Sequence, residues 1–161
     1  MKPGAGVIIR VRRQCSAAAE RVFDAWLDAK SAEGFLFATP EGVMLSVKID
    51  ARVGGSFQVT ERRNGISVVH NGIYLEIARP RRLSFLLNVP FFGQANTRVS
   101  VAVLRMQKGC EVVVSQEGVA EEIAAQTEAG WKAMLDTMES VLAREDADTT
   151  TQEEAVSGEG S

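Results

Sequence analysis

The feature of the sequence that most constrains its fold is a long region in which apolar residues recur at every second position. Between residues 43 and 118 this alternation predicts β-strands, because successive side chains of a strand point to opposite faces. No linker in the region is long enough for a crossover helix, so we expect antiparallel neighbours. Asn64-Gly65 is a strong signal for a two-residue hairpin turn. Six strands are predicted here: MLSVKI, SFQVT, ISVVHNGIYLEI, LSFLLNV, TRVSVAVLRM and EVVVSQ.

Apolar residues at helical spacing occur on both sides of this region. Alternation from Val7 to Val11 predicts a first strand, after which Ser16 is placed to cap a helix over AAAERVFDAWLDA. A shorter helix is predicted for residues 31–37, and a long closing helix for AEEIAAQTEAGWKAMLDTMESVLA. The predicted fold class is therefore α+β, an antiparallel sheet of about six to seven strands with helices against one face.

Two adjacent glycines in the stretch DARVGGSFQVT raise the question of a phosphate-binding loop. Such a loop lies between a strand and the N-terminus of a helix, where backbone N–H groups meet the anion. Gly54-Gly55 instead precede a strand, and neither GxGxxG nor the P-loop motif occurs. Glycine at the start of a strand is typical of a sharp bend or bulge. We expect the pair to bend the sheet rather than to bind a ligand.

Four segments in this order resemble the START-like, helix-grip superfamily, also called SRPBCC. Within it they are most similar to the branch of activators of the heat-shock-protein-90 ATPase. The segments are RVFDAWLDA, DARVGGSFQV, GIYLEIARPRRLSF and EAGWKAMLDTMESVLA. The resemblance covers residues 7 to 143 and implies a curved sheet that grips the C-terminal helix, with a mainly apolar cavity between them. Where the family often has a Trp-Trp-Gly-like segment, this chain has GFLFATPEG, which implies a differently shaped cavity mouth.

Charge divides the chain unevenly. We expect residues 1–6 to be flexible and residues 7–143 to form the folded domain. Residues 144–161 carry a net charge of −5 with little to bury, and are expected to be an acidic disordered tail. The rest of the chain carries +2, which gives no support to nucleic-acid binding.

Several classes of protein are not indicated by the sequence. No apolar run approaches the roughly 20 residues of a membrane-spanning helix, and without a secretory signal we expect a cytoplasmic protein. Cys15 and Cys110 lack the spacing of metal ligands and are expected to be buried, reduced thiols. Neither a metal nor a cofactor is predicted.

Three polar side chains of the strand ISVVHNGIYLEI are candidates for acid-base chemistry. His70 is the single histidine, and Tyr74 and Glu76 are one strand step apart, close enough for a hydrogen-bonded pair. Alternation places Ile73 and other apolar residues on the opposite face, so His70 points to solvent if that apolar face meets the helix. A bulge at Asn71-Gly72 would reverse this arrangement. A surface or structural histidine is favoured over a catalytic one.

The resemblance implies a cavity lined by apolar side chains of the sheet and helices. Residues at helical spacing such as Trp131 and Met134 are usually core, yet in a container fold the closing helix is also a cavity wall. Phe91-Phe92 are expected to cap the end of the sheet or to gate the cavity mouth. The residues expected to contact a ligand are Trp26, Phe35, Phe37, Phe57, Val59, Ile73, Phe85, Trp131, Met134 and Met138.

Three functions are compatible with these features. The favoured one is binding of a small hydrophobic or amphipathic, lipid-like molecule, held by burial of its apolar surface. One alternative is an enzyme similar to polyketide cyclases or dehydratases, with acid-base residues in the cavity. The other is a stress-related chaperone co-factor, as the branch implies. The expected partner is the small molecule, with a homodimer and a chaperone kept as options.

Overall fold

Seven antiparallel strands form one sheet, and a long C-terminal helix packs across it. The computed structural model describes residues 6–93 and 96–159, with side chains as far as residue 147. The strands are β1 (Val7–Cys15), β2 (Val43–Ile49), β3 (Ser56–Arg63), β4 (Ile66–Ala78), β5 (Arg82–Asn88), β6 (Thr97–Arg105) and β7 (Cys110–Val119). The helices are α1 (Ala19–Leu27), α2 (Ala29–Ala32) and α3 (Ala124–Glu159), with 3₁₀ turns at Pro90–Phe92 and Glu121–Ile123.

The strand order is β1-β7-β6-β5-β4-β3-β2, so every strand from β2 to β7 pairs with its neighbour along the chain, and β1 returns to pair with β7. This confirms the predicted α+β class, the antiparallel meander and the curved sheet that grips a closing helix. The predicted flexible N-terminus lies outside the described residues apart from Gly6. Within the described part of the chain, no helix has the length and apolar character needed to cross a bilayer.

The core lies between the inner face of the sheet and α3, with α1 packed beside them. Trp26 of α1, Phe85 of β5 and Leu135 and Met138 of α3 are among its largest fully buried side chains. Cys15 and Cys110 pair in register on β1 and β7 and are buried and free, as predicted. Burial raises the pKa of the Cys15 thiol to about 12, with a further contribution from the neighbouring Glu139 carboxylate.

The glycine pair shapes the backbone between β2 and β3, as expected. Gly54 has a φ of 83°, a conformation that favours glycine. Its N–H donates to the Tyr74 carbonyl at 2.9 Å, and the Tyr74 N–H donates to the Gly55 carbonyl at 3.0 Å. A Cβ at position 55 would lie 2.3 Å from the Asp50 carbonyl oxygen. The pair therefore allows a close turn between β2 and β3, whose end hydrogen-bonds to Tyr74 of β4.

The short helices differ from the prediction in their ends. Ser16 is not the N-cap of α1. That position is Ala18, which makes no side-chain cap, and the Ser16 hydroxyl donates instead to Glu139 Oε1 at 2.7 Å. The second helix covers only Ala29–Ala32, with the Asp28 carboxylate accepting from the Ser31 N–H, rather than residues 31–37. It ends early because the chain turns toward Phe37, whose φ of 54° is not helical.

The two faces of β4 are the reverse of the predicted ones. His70 and Tyr74 point into the core, whereas Ile73 lies on the outer face with half of its surface exposed. A bulge between Tyr74 and Glu76 then shifts the register of the rest of the strand. The alternation does not predict the inward face of β4 because the outer face of this strand also carries apolar residues. The packing of aromatic rings against His70 and Tyr74 decides which face turns inward.

The last helix extends into the segment for which an acidic disordered tail is predicted. Helix α3 continues through residue 144 to Glu159, and the Arg21 guanidinium binds the carboxylates of Glu145 and Asp146, both at 3.1 Å. A helix that is already nucleated is extended at little cost, which explains why the charged segment continues it. The side chains beyond residue 147 lie outside the described ones, and disorder of that part stays a prediction.

Candidate functional site

A cavity of about 350 Å³ opens between the sheet and the first turns of α3. Its walls come from the loop after α2, from β3 to β7, from the 3₁₀ turn after β5 and from α3. Most of the lining is apolar and includes Phe37, Leu87, Val89, Phe92, Val119, Ile123, Trp131 and Met134. This volume lies at the lower end of the range of about 300–1,000 Å³ that is usual for small-molecule pockets.

One polar part of the wall is a chain of three hydrogen-bonded side chains. The Trp131 indole N–H donates to Gln116 Oε1 at 2.7 Å, and Gln116 Nε2 donates to Thr97 Oγ1 at 2.9 Å. Trp131 comes from α3, Gln116 from β7 and Thr97 from β6, so the chain ties the helix to the sheet. Both ends of the Gln116 amide are used, which is the usual state of a buried polar group.

A second polar part is centred on a buried carboxylate, Glu61 of β3, which is 1% exposed. It accepts hydrogen bonds from the Thr39 N–H at 2.7 Å and the Thr39 hydroxyl at 3.0 Å, and from Arg63 Nε at 2.5 Å. Gly42 lies against it, because a Cβ there would be 2.1 Å from Glu61 Oε2. A buried charge needs such partners to be tolerated. The carboxylate end of this ion pair is therefore fully buried, whereas the Arg63 side chain keeps 25% of its surface exposed.

This ion pair fixes the aromatic side chain beside it. Arg63 also donates from Nη2 to the Phe37 carbonyl at 3.1 Å, which holds Phe37 in its left-handed conformation. The Phe37 ring stacks on His70, with centroids 4.3 Å apart and planes 10° apart, and meets Trp131 edge-on at 5.8 Å. Three aromatic rings from three elements thus form one corner of the cavity.

His70 is the least satisfied polar group of the wall. It is 5% exposed, and its Nδ1 atom has no hydrogen-bond partner among the described residues. Burial lowers the pKa of the imidazole from 6.5 to about 3, and the Arg63 charge lowers it further, while a backbone hydrogen bond with Val59 acts in the opposite sense. The ring is therefore neutral at pH 7, with one donor and one acceptor nitrogen.

The expected ligand contacts divide into three groups. Phe37, Trp131 and Met134 line the cavity. Ile73 does not, because it lies on the outer face of the sheet, and its assignment to the wall is corrected. The remaining residues are buried in the core and do not line the cavity: Trp26, Phe35, Phe57, Val59, Phe85 and Met138.

The three acid-base candidates are not brought together. Tyr74 is buried among aromatic rings, 5.5 Å from Phe57 and 6.4 Å from Phe85 between centroids, and burial raises the pKa of its phenol. Glu76 lies on a half-exposed part of the strand and pairs with Arg82 at 2.8 Å. Of the three, His70 alone lines the cavity, so the expectation that it points to solvent is wrong.

Three residues of the site are not among those predicted from the sequence: Glu61, Arg63 and Gln116. For two of them the alternation of the strand was a usable signal. Glu61 is two residues after Val59 and four after Phe57, so it lies on the same inward face of β3. Gln116 lies in the same way on the inward face of β7. A polar residue at an inward position of a strand indicates either a buried hydrogen-bond network or a cavity wall. Arg63 gave no such signal, because it follows Arg62 at a strand end.

The aromatic pair after β5 forms the 3₁₀ turn at the cavity mouth. Phe91 and Phe92 meet edge-on at 5.1 Å and are both about half exposed, and Phe92 lines the cavity. Among the described residues no group of His, Cys, Asp or Glu could hold a metal ion. The side chains that line the cavity offer apolar surface, aromatic rings and hydrogen-bonding groups.

Comparison with known proteins places this geometry in a family. The family described as Activator of Hsp90 ATPase homolog 1-like protein matches residues 16–143. No curated protein matches the chain.

Solved structures with the same fold are numerous. One is a crystal structure of a Chromobacterium violaceum protein, at 24% identity and a TM-score of 0.77, covering 84% of this chain and 96% of that one. Another is the solution structure of the AHSA1-like protein from Aeromonas hydrophila, at 21% identity and a TM-score of 0.76, covering 87% and 94%. A Staphylococcus aureus protein of unknown function has 18% identity and a TM-score of 0.76, covering 91% and 96%. These likenesses show the fold alone.

Proposed function

The chain belongs to the Activator of Hsp90 ATPase homolog 1-like family, and from that premise we propose that it is a binding protein for a small hydrophobic or amphipathic molecule. The ligand is held in the cavity between the sheet and α3. The observation that carries the proposal is the cavity itself: about 350 Å³, mostly apolar, with a buried histidine in its wall whose Nδ1 atom has no hydrogen-bond partner among the described residues.

Burial of apolar ligand surface supplies the binding free energy. At about 25 cal/mol per Å², a ligand that buries about 200 Å² gains on the order of 5 kcal/mol before the costs of association. The walls that receive it are prearranged, because the Trp131–Gln116–Thr97 chain and the Glu61–Arg63 pair hold their positions through hydrogen bonds within the protein. Little ordering is then needed when the ligand enters.

An enzymatic function finds less support in the site. Of the three acid-base candidates, Tyr74 and Glu76 do not line the cavity, so only His70 is placed to act on a bound molecule. A neutral His70 with a pKa of about 3 is a weak base. A chaperone partner stays a prediction for this chain, as do a homodimer and a cytoplasmic location.

Native mass spectrometry of the purified full-length protein tests the proposal directly. We expect an additional mass that is lost on activation in the gas phase and that is extracted by organic solvent. Titration of solvent-stripped protein with the uncharged apolar dye Nile red should then give a saturable fluorescence increase with one site per chain. Absence of both a co-purified mass and saturable dye binding would contradict the proposal.

Two neighbouring substitutions in α3 locate the binding site. Gly130 lines the cavity mouth, and a Cβ there would meet nothing within 4 Å. Gly130→Leu should narrow the mouth and weaken Nile red binding at least tenfold. Ala129 is exposed and does not line the cavity, so Ala129→Leu is the matched control and should bind as the wild type does. Equal affinities in both variants would place the dye elsewhere.

A further inference from the structure

We propose that the natural ligand of the cavity is an uncharged, compact alcohol or phenol whose hydroxyl group bonds to His70 while its apolar body lies against Phe37, Trp131 and Met134. This inference rests on the proposed binding function and specifies its ligand class. Three observations support it. They are the hydrogen bonds already made by the polar groups of the wall, the pairing of its one charged lining side chain, and the arrangement of its aromatic rings.

The hydrogen bonds of the wall leave one position open. Gln116 is satisfied by Trp131 and Thr97, and Thr39 and Arg63 donate to Glu61. Among lining side chains in the described part of the protein, only His70 has a buried polar atom without a partner. A buried polar atom without a hydrogen-bond partner costs free energy. A ligand that supplies the missing bond therefore binds more tightly than one of the same shape that cannot.

Charge at the wall is already neutralised. Arg63 is the only charged lining side chain within the described ranges, and its guanidinium is paired with the Glu61 carboxylate. The imidazole of His70 is itself neutral at pH 7. An anionic or cationic ligand head would therefore lose its hydration without meeting a free counter-charge, which is unfavourable in an apolar cavity. An uncharged head is the class that fits.

A hydroxyl is an uncharged group that can donate to the open ring nitrogen. The backbone hydrogen bond with Val59 raises the pKa of the imidazole, so the ring N–H donates it, and Nδ1 of the neutral ring is left as an acceptor. Phe37 stacked on His70 and Trp131 edge-on to Phe37 present ring surfaces to the rest of the molecule. Apolar and aromatic bodies pack on such surfaces, which favours a ring-bearing alcohol or a phenol.

Three probes of the same shape test this assignment. Naphthol, methylnaphthalene and naphthoate, substituted at the same ring position, differ in being hydroxyl-bearing, apolar and anionic. Isothermal titration calorimetry at pH 7 on the wild-type full chain should show naphthol binding about three to ten times more tightly than methylnaphthalene, the range expected for one neutral hydrogen bond. Naphthoate should bind most weakly of the three.

The variant His70→Phe tests whether this histidine causes the preference for naphthol over methylnaphthalene. His70→Phe keeps an aromatic ring beside Phe37 and should reduce the ratio of naphthol to methylnaphthalene affinity to about one. Tyr74→Phe is the matched control, since it removes a buried hydroxyl from the same face of β4 outside the cavity lining, and should leave the ratio unchanged. A ratio unchanged in His70→Phe overturns the assignment.

The outcomes separate this inference from the proposed function. Equal binding of naphthol and methylnaphthalene by the wild type, or tightest binding of naphthoate, overturns the ligand class while the binding function stands. Absence of binding by all three probes, together with an empty cavity in native mass spectrometry, overturns both. The wild-type series decides the question even if His70→Phe fails to fold.

Discussion

The inner face of α3 has two halves that share one amphipathic pattern and differ in what covers them. From Leu135 to Leu142 the inward residues are fully buried, and Gly34 after α2 packs against Val141. From Ile123 to Met134 the same stripe faces the cavity. We call these the core half and the cavity half. The helix is continuous, so the difference arises from the rest of the fold: α1 and α2 cover one half and leave the other open.

The comparison teaches that helical periodicity identifies an inward face without identifying a core. Trp131 lies where the core half and the cavity half meet. Its ring stacks against Trp26 on the core side, with centroids 6.4 Å apart, and its N–H donates a hydrogen bond to Gln116 on the cavity side. A cavity in a closely packed protein forfeits packing contacts. The cavity lies at the end of the helix where His70 Nδ1 has no partner among the described residues, and the proposed ligand site rests on this combination.

The largest expected effect comes from truncation in the core half. Met138 is completely buried, so Met138→Ala should lower the free energy of unfolding by about 2–5 kcal/mol. Ile123→Ala, at the cavity half, should cost less than about 1.5 kcal/mol because its side chain is only partly buried and already borders open space. Urea denaturation of both variants measures the difference. Similar losses would remove the distinction between the two halves.

A pH effect is expected next, from the cavity wall. The pKa of His70 is about 3 in the folded protein and 6.5 in the unfolded chain. As the pH falls, the unfolded chain therefore takes up a proton at this residue before the folded protein does. Stability should therefore decrease progressively from about pH 6.5 downward, by about 2 kcal/mol at pH 5. Arg63 is the charged group that acts on this ring, and its charge also lowers the pKa of the imidazole.

The His70→Phe variant isolates that contribution. Because His70 is the single histidine, the variant should lose little stability between pH 7 and pH 5 when unfolding is followed by urea titration. The carboxyls whose pKa values are lowered in the fold, such as Glu20, Asp24 and Glu139, weaken the protein only below about pH 4.5. An equal pH dependence in wild type and variant would show that the histidine is hydrated.

A smaller effect of opposite sign is expected from the helix backbone at the cavity mouth. Gly130→Ala adds a methyl group where nothing lies within 4 Å and should stabilise the protein by about 0.8–1 kcal/mol through helix propensity. Thermal unfolding by circular dichroism would show this as a higher midpoint. A lower midpoint would indicate that the glycine permits a contact or a movement that the helix needs.

The smallest effect is expected at the far end of α3. A chain ending at residue 147 should be as stable as the full chain, whereas one ending at residue 143 loses the ion pairs of Arg21 with Glu145 and Asp146. Half-exposed pairs of this kind contribute at most about 1 kcal/mol. Arg21→Gln in the full chain should reproduce the loss. A large decrease on removing residues 148–161 would show that this segment docks on the folded domain.

Local pattern was sufficient for the elements and the family. Alternation, hairpin glycines and the stripe of α3 predicted seven antiparallel strands and a closing helix, because backbone geometry fixes the periods of strand and helix. The order of four segments predicted the superfamily, which the match over residues 16–143 confirms. Buried cysteines and a structural role for Gly54-Gly55 were also predicted, because the cysteines lack the spacing of metal ligands and the glycines precede a strand rather than a helix.

Tertiary structure alone decided which face of β4 turns inward and which inward residues meet empty space. Val69 and Ile73 have the apolar character of a core face, but the rings of Phe37, Phe57 and Phe85 pack against His70 and Tyr74 instead. The cavity and its buried ion pair depend on how elements distant in the chain cover one another. Their position is a property of packing, and no single segment contains it.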